Sequence, residues 1–254
     1  MNRPLAWVTG ANRGIGRGIA AALSARGFDV TGTDLTENDD TAVTARLVAE
    51  AGGAFRFVAG DVSRSADAAG LVADVTRDRP LHCLVNNAGV QTRQRIDILE
   101  LPEAEFDRLA AVNLRGTFFL TQSAAKAMLA SPDLPGRSII TITSSAAEAA
   151  NPRSAAYCMT KAGLSMMVRL FALRLAEAGI ATFEVRPGLI RTPMNSDDLR
   201  PYEAAFASGR VPFRQWGHIE QVGRAVATLA SGDLPYSTGD VVNVSGGFQI
   251  AQIG

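Results

Sequence analysis

The sequence contains few of the side chains on which several large protein classes depend. Its two cysteines, Cys83 and Cys158, are too few for a disulfide framework and fit a reducing compartment. No apolar run approaches the ~18 residues that a transmembrane helix requires. Acidic and basic side chains number 25 each, so no charge excess favours nucleic acid or an anionic membrane as a partner. We therefore expect a cytoplasmic protein.

Lysine and histidine are also scarce. The lysines are Lys126 and Lys161, and arginine carries the rest of the positive charge. His82 stands at the start of a predicted strand and His218 near the start of a predicted helix. We expect structural roles for both histidines, and no residue spacing predicts a metal site.

Short apolar segments alternate along the chain with longer helix-like segments. Strands are predicted over 5–9, 28–34, 54–61, 81–87, 138–144, 180–188 and 239–247, and helices over 15–27, 41–53, 65–78, 103–130 and 155–178. This alternation predicts parallel strands joined by crossover helices. We predict an α/β fold in one domain covering 1–254, with a doubly wound parallel sheet of about seven strands and helices on both faces. The poorly periodic segment 192–217 is predicted to be a substrate loop.

A glycine-rich turn with Gly10, Gly14 and Gly16 joins the first predicted strand to the first helix. Such a turn allows close approach of a ligand, and the helix N-terminus offers free N–H groups and partial positive charge to a pyrophosphate. The spacing is G-x-x-x-G-x-G and differs from the usual G-x-G-x-x-G fingerprint. Asp34 ends the second strand 18 residues later, where a carboxylate can bind the hydroxyls of an adenosine ribose. The pattern predicts a dinucleotide site.

Four segments in this order resemble the short-chain dehydrogenase/reductase family: TGANRGIG (9–16), NNAG (86–89), YCMTK (157–161) and RPGLIRT (186–192). The similarity covers nearly the whole chain and lies near the 3-oxoacyl-carrier-protein reductases. It implies a Rossmann-type fold, a nicotinamide cofactor and interconversion of a secondary alcohol and a ketone. By the same resemblance a homotetramer is expected.

The spacing of four between Tyr157 and Lys161 places both side chains on one helix face. A free phenol has a pKa of about 10, and a neighbouring ammonium, together with the positive nicotinamide ring of an oxidised cofactor, is expected to lower it. The resemblance implies that Tyr157 is the acid/base and that Lys161 tunes its pKa and binds the nicotinamide ribose. Ser144, 13 residues before Tyr157, would hydrogen-bond the substrate oxygen, and Asn113 would support a proton relay.

The resemblance also implies cofactor contacts at the carboxyl ends of strands, where open α/β sheets bind ligands. Besides Tyr157 and Lys161, the expected residues are Gly10, Asn12, Arg13, Gly14, Ile15, Gly16, Asp34, Leu35, Asp61, Val62, Asn87, Ala88, Gly89, Pro187, Gly188, Ile190 and Thr192. Asp34 favours NAD because its charge would repel a 2′-phosphate. Arg13 is the opposing signal and keeps NADP as the second choice.

Several functions remain open at this point. An NADPH-dependent 3-oxoacyl-[acyl-carrier-protein] reductase would need basic residues to dock an acidic carrier. The segment ASPDLPG (130–136) has none, and RLAEAGI (174–180) supplies only Arg174. We therefore predict a free small alcohol or ketone as the substrate. A non-catalytic dinucleotide-binding regulator, or a lyase or epimerase with the same tyrosine, is the alternative from another class.

Overall fold

One parallel sheet of seven strands organises the chain. The structure is a computed structural model that describes residues 3–131, 134–192 and 200–250. The strands are β1 (Leu5–Thr9), β2 (Asp29–Asp34), β3 (Phe55–Ala59), β4 (Leu81–Asn86), β5 (Ser138–Ile142), β6 (Ala181–Pro187) and β7 (Val241–Val244). Their order is β3-β2-β1-β4-β5-β6-β7, and every neighbouring pair is parallel. The order reverses between β1 and β4, which creates the switch point at which such sheets bind ligands.

Helices cover both faces of the sheet. They are α1 (Gly14–Ala25), α2 (Asp39–Glu50), α3 (Ala68–Val75), α4 (Glu103–Leu109), α5 (Thr117–Leu129), α6 (Ala155–Leu175), α7 (Arg200–Ala207) and α8 (Ile219–Ala230). Neighbouring residues of β1 point to opposite faces of the sheet, so the core has two parts, one on each face. Val8 packs with Ile19 of α1 and Val226 of α8, whereas Trp7 packs with Leu71 of α3 and Leu120 of α5. The predicted Rossmann-type sheet is confirmed.

Three differences between the predicted and the observed elements bear on the candidate site. The predicted helix 103–130 is interrupted by a π-helical turn, Ala110–Gly116. Strand β5 ends at Ile142, so Ser144 lies in the segment after the strand. Helix α2 begins at Asp39, two residues early, because Asn38 and Thr41 form a capping box that binds its first free N–H groups.

The predicted loop 192–217 also differs from expectation. Its residues 193–199 lie outside the described part, and Arg200–Ala207 form α7 rather than an irregular segment. Phe206 at the end of α7 packs edge-on against Trp216, with ring centroids 5.4 Å apart. Among the described helices, none is both long enough and apolar enough to cross a membrane.

Candidate active site

The glycine turn forms a tight cradle at the carboxyl end of β1. Gly10 and Gly14 have positive φ angles of 65° and 56°, a conformation that favours glycine. A Cβ on Gly16 would lie 2.0 Å from the Gly10 carbonyl oxygen. Helix α1 begins at Gly14, and a Cβ there would lie 3.9 Å from Cβ of Thr192. The structure thus brings Thr192 to the helix N-terminus that was predicted to bind phosphate.

Two asparagines that are predicted to contact the cofactor bind neighbouring protein groups through their side-chain amides, and their cofactor contacts stay predictions. The Nδ2 of Asn12 donates to the Thr36 carbonyl at 3.0 Å, and its Oδ1 accepts from Thr41 Oγ1 at 2.9 Å. The Nδ2 of Asn87 donates to the carbonyls of Thr9 and Gly10 at 2.8 and 3.0 Å. These bonds fix the glycine turn against α2 and β4.

Arg17 holds the glycine turn in place, a structural role that the sequence did not predict. Its Nη2 binds Asp40 Oδ1 at 2.5 Å and the Asn12 carbonyl at 2.7 Å. The guanidinium therefore joins α1, the glycine turn and the first turn of α2. An arginine four residues after Arg13 was the available signal, but only the fold shows which of the two points inward.

The predicted adenosine contacts gather at the ends of β2 and β3. The Asp34 carboxylate is half-buried and accepts from the Leu35 N–H at 2.9 Å, while Leu35 is exposed. Asp61 accepts from the N–H and hydroxyl of Ser63 at 2.9 and 2.7 Å. Leu35, Asp61 and Val62 line one pocket of about 690 Å³. Within the described residues Arg13 is exposed and forms no ion pair with Asp34.

The predicted reactive side chains meet between β5 and α6. The Nζ of Lys161 donates to the Ile142 carbonyl at 3.0 Å and lies 5.7 Å from the centroid of the Tyr157 ring. Ser144 stands at the start of a 3-10 turn, where its Oγ accepts from the Ala146 N–H at 3.1 Å. The Ser144 hydroxyl also lies near enough to Tyr157 to lower the pKa of the phenol. The hydroxyls of Ser144 and Tyr157 therefore lie beside the buried ammonium of Lys161.

Burial governs the pKa values of this group. Desolvation raises the pKa of Tyr157 above its usual value, and the neighbouring Ser144 hydroxyl opposes that shift. Burial also lowers the pKa of Lys161 to about 8, while the charge of Glu184 opposes it. Desolvation, which disfavours each charged form, is the largest cause of both shifts. The expected lowering of the tyrosine pKa depends on the oxidised nicotinamide ring as well as on the ammonium, so it stays a prediction.

Asn113 lies in the π-helical turn and is 1% exposed. Its Oδ1 accepts from the Val90 N–H at 2.8 Å, and its Nδ2 donates to the Val90 carbonyl at 2.9 Å. A Cβ on Gly89 would lie 3.2 Å from Asn113 Oδ1 and 3.7 Å from Lys161 Nζ. Asn113 and Gly89 therefore stand beside the lysine, as predicted, and the relay role stays a prediction. Ala88 is fixed nearby, since its N–H donates to Thr9 Oγ1 at 3.0 Å.

The segment after β6 closes the other side of the site. Pro187 ends the strand, and a Cβ on Gly188 would lie 2.7 Å from Cβ of Ser245. The Ile190 side chain is buried in the core, and its backbone pairs with Gly217. Any cofactor contact of Ile190 must therefore use its backbone. Ile15, on the first turn of α1, likewise packs against this core.

A buried charged network behind the site also escaped the sequence analysis. Glu184 and Arg186 are 1% and 4% exposed on β6, and Arg186 Nε donates to Glu184 Oε1 at 2.5 Å. Arg186 also forms an ion pair with Glu148 in the segment between Ser144 and α6. Two charged residues inside the apolar strand ATFEVRP were the available signal.

Comparisons with known proteins agree with this arrangement. A family model described as enoyl-(acyl carrier protein) reductase matches residues 10–249. The chain is 37% identical to the (3R)-3-hydroxyacyl-CoA dehydrogenase of Mus musculus, over 96% of this chain and 95% of the relative. It is 35% identical to the 3-oxoacyl-[acyl-carrier-protein] reductase FabG of Escherichia coli, over 96% of both chains. A crystal structure of 3-oxoacyl-[acyl-carrier protein] reductase from Brucella melitensis in complex with NAD has a TM-score of 0.95 at 42% identity, with both chains fully covered.

These relatives are reductases and dehydrogenases that match from end to end, so the predicted oxidoreductase class is confirmed. The solved structures of relatives also support a nicotinamide dinucleotide cofactor. One of these relatives binds NAD and another binds NADP. Sequence, sheet order and site geometry agree, and the chain belongs to the short-chain dehydrogenase/reductase family.

Proposed function

We propose that the protein interconverts a secondary alcohol and a ketone on a free, small, hydroxylated molecule, with NAD as its cofactor. The observation that carries the proposal is the meeting of Ser144, Tyr157 and Lys161 at the carboxyl end of β5. All three lie on the edge of the sheet that also carries the glycine cradle and Asp34, where a dinucleotide and a substrate can lie side by side.

The residues at this edge fit a dinucleotide. The glycine cradle leaves no room for a side chain at Gly16, so backbone can approach a pyrophosphate at the start of α1. The carboxylate of Asp34 would accept hydrogen bonds from ribose hydroxyls, and its charge would repel a 2′-phosphate. The Brucella melitensis relative, whose structure is described in complex with NAD, supports the same choice.

When bound, the nicotinamide ring supplies the acceptor or donor of hydride. The chain supplies the proton: Tyr157 takes it from the alcohol hydroxyl during oxidation and returns it to the ketone oxygen during reduction. Ser144 orients and polarises that oxygen through its hydroxyl. Lys161 stabilises the tyrosinate by its charge, and Asn113 completes a proton path behind the lysine.

The charge distribution supports a free substrate over a carrier-linked one. Arg137, next to the segment 130–136, is buried and donates to the carbonyls of Met128 and Ala178. It is therefore unavailable to an acidic carrier. Exposed Arg174 is followed by exposed Glu177, which reduces local positive charge.

A 3-oxoacyl-[acyl-carrier-protein] reductase is the second candidate. It is favoured by the names of the Escherichia coli and Brucella melitensis relatives. Exposed arginines on the loops that follow β4 and β5 also favour it: Arg93, Arg95 and Arg153.

A panel of alcohols and ketones assayed with both cofactors tests the proposal. We expect reduced nicotinamide to form or disappear in proportion to product, with NAD preferred. A regulator or an epimerase would show no net consumption of cofactor, which would contradict the proposal.

We further propose that the chain forms a single domain and that the segment 192–217 is a substrate loop. We also propose that the protein is a homotetramer. Exposed Leu170 and Leu173 on α6 and Phe119 on α5 offer apolar surface for subunit contacts, and sedimentation analysis tests the tetramer.

A further inference from the structure

Strand β6 places two charged side chains against the helix that carries Tyr157 and Lys161. Phe183 and Val185 point into the core on one face of the sheet. Glu184 and Arg186 alternate with them and point to the opposite face, where Arg186 Nη2 reaches Ser165 of α6 at 3.2 Å. Burying charges is costly unless they are paired and hydrogen-bonded, so this pair requires an explanation.

The Glu184 carboxylate joins the elements that carry the reactive residues. Its Oε1 accepts from Thr143 Oγ1 at 2.6 Å and from Ser165 Oγ at 2.7 Å. Thr143 directly precedes Ser144, and Ser165 lies one helical turn beyond Lys161 on α6. One carboxylate thereby fixes the end of β5 and the middle of α6 relative to β6.

The network carries a net negative charge. Arg186 is shared between Glu184, which is 1% exposed, and Glu148, whose side chain is 61% exposed. Because Arg186 pairs with both carboxylates, its charge does not neutralise the inner carboxylate alone. The Lys161 ammonium is also buried, and it binds the Ile142 carbonyl while the Glu184 carboxylate binds the hydroxyl of the next residue, Thr143.

Among the described residues, the other titratable groups considered near Lys161 belong to its own helix and to β6. Tyr157 and Cys158 share its helix, and Arg186 stands behind Glu184 on β6. The end of β5 and the π-helical turn present uncharged side chains: Thr143, Ser144 and Asn113. Burial lowers the pKa of Lys161 to about 8, and Glu184 is the group whose charge acts in the opposite direction.

We propose that Glu184 is a positioning residue for the reaction, which keeps the Lys161 ammonium charged and locks the strand end before Ser144 to α6. This inference rests on the proposed roles of Tyr157 and Lys161. It adds a requirement beyond the roles of Asn113, Ser144, Tyr157 and Lys161: the lysine works at neutral pH only with a buried counter-charge behind it.

The sign of the effect follows from the opposite charges of the two groups. The lysine is active as the ammonium, so activity falls as pH rises through its pKa. Removing the Glu184 charge removes the interaction that raises this pKa, and the alkaline limb of the pH profile must then move to lower pH. A close opposite charge typically shifts a pKa by about 1 to 3 units, so we expect a displacement of about one unit or more.

The experiment measures the pH profile of kcat for alcohol oxidation with saturating NAD. The enzymes compared are the wild type, Glu184→Gln, Glu184→Asp and the control Glu105→Gln. Glu105 is a matched control because it also pairs with an arginine, Arg108, at 2.8 Å, but on α4. We expect the alkaline limb of the pH profile to move to lower pH in Glu184→Gln. In Glu184→Asp and Glu105→Gln the limb should keep its wild-type position.

Two results would overturn the inference. One is a Glu184→Gln profile that keeps its wild-type shape while activity falls uniformly, because that describes a residue needed only for folding. The other is an alkaline limb that moves to lower pH in Glu184→Asp, although this variant keeps the negative charge. Glu184→Asp alone carries the test if Glu184→Gln does not fold. Turnover by the wild type is measured first, so failure of the proposed function, with no turnover of any alcohol, is distinguishable from failure of this inference.

Discussion

At the scale of single residues, the hydroxyl of Tyr157 is the group through which we expect the transferred proton to pass. Replacement by phenylalanine deletes this hydroxyl and leaves the ring between α6 and the Ser144 segment. We expect Tyr157→Phe to lower kcat by ~10²–10⁴-fold, the usual contribution of an acid–base group. Thermal unfolding and NAD binding should remain near those of the wild type.

The exposed Tyr236 offers the matched control for this variant. Tyr236→Phe removes a phenolic hydroxyl far from the reactive group and should leave kcat unchanged. Near-wild-type turnover by Tyr157→Phe would remove Tyr157 from the acid–base role.

Asp34 decides the choice of cofactor by its charge. In Asp34→Ala the carboxylate no longer binds ribose hydroxyls or repels a 2′-phosphate, so the ratio of kcat/KM for NAD over NADP should fall. We expect a fall of about tenfold or more, which corresponds to ~1.4 kcal/mol. Asp39→Ala, which removes an exposed carboxylate from the start of α2, should leave the ratio unchanged. A wild-type enzyme that prefers NADP would show that Arg13 dominates instead.

The residue types of the candidate site were predictable because their order along the chain is specific. Ser144, Tyr157 and Lys161 meet as expected, since helical spacing and strand ends determine where they lie. The protein contacts of the Asn12 and Asn87 amides were not predictable, because an amide can bind a ligand or a backbone carbonyl and the sequence does not distinguish the two. Glu184 was missed because a strand sequence does not show which charged side chain has buried partners.

At the scale of secondary structure, the start of α1 depends on the absence of a side chain at Gly16. A Cβ at this position would overlap the Gly10 carbonyl, so Gly16→Ala must displace the helix start or the turn. Overpacking of this kind costs ~1–3 kcal/mol. We expect a Tm lower by several degrees, at ~2–4 °C per kcal/mol, and weaker NAD binding.

Gly70→Ala is the matched control, because a Cβ at this position in α3 meets no atom within 4 Å. Alanine favours a helix over glycine by ~0.8–1 kcal/mol, so Gly70→Ala should raise the Tm slightly. An unchanged Tm and NAD affinity in Gly16→Ala would contradict the account of the cradle.

The strands were predictable from their apolar runs, and the boundary errors have separate physical causes. The π-helical turn before α5 depends on a tertiary contact, since a Cβ on Gly116 would lie 2.1 Å from the Val62 carbonyl oxygen. Local periodicity contains no such information. The earlier start of α2 was readable in principle from Asn38 and Thr41, which form the capping box.

At the scale of the whole molecule, the balance of surface charge bears on the substrate. The chain has a net charge of zero, and its arginines are largely matched by acids. An acidic carrier protein would therefore gain little long-range attraction to this surface, and its association would be slow and little affected by salt. A small uncharged alcohol needs no such attraction.

Direct competition between an acyl-carrier-linked 3-oxo ester and free polyols or cyclic alcohols tests this claim. The two substrate types are compared by kcat/KM with the same enzyme, at low and high salt. We predict that a free alcohol has the higher kcat/KM and that salt changes it little. Efficient turnover of the carrier-linked ester, lost at high salt, would contradict the proposed substrate class and favour the acyl-carrier-protein reductase.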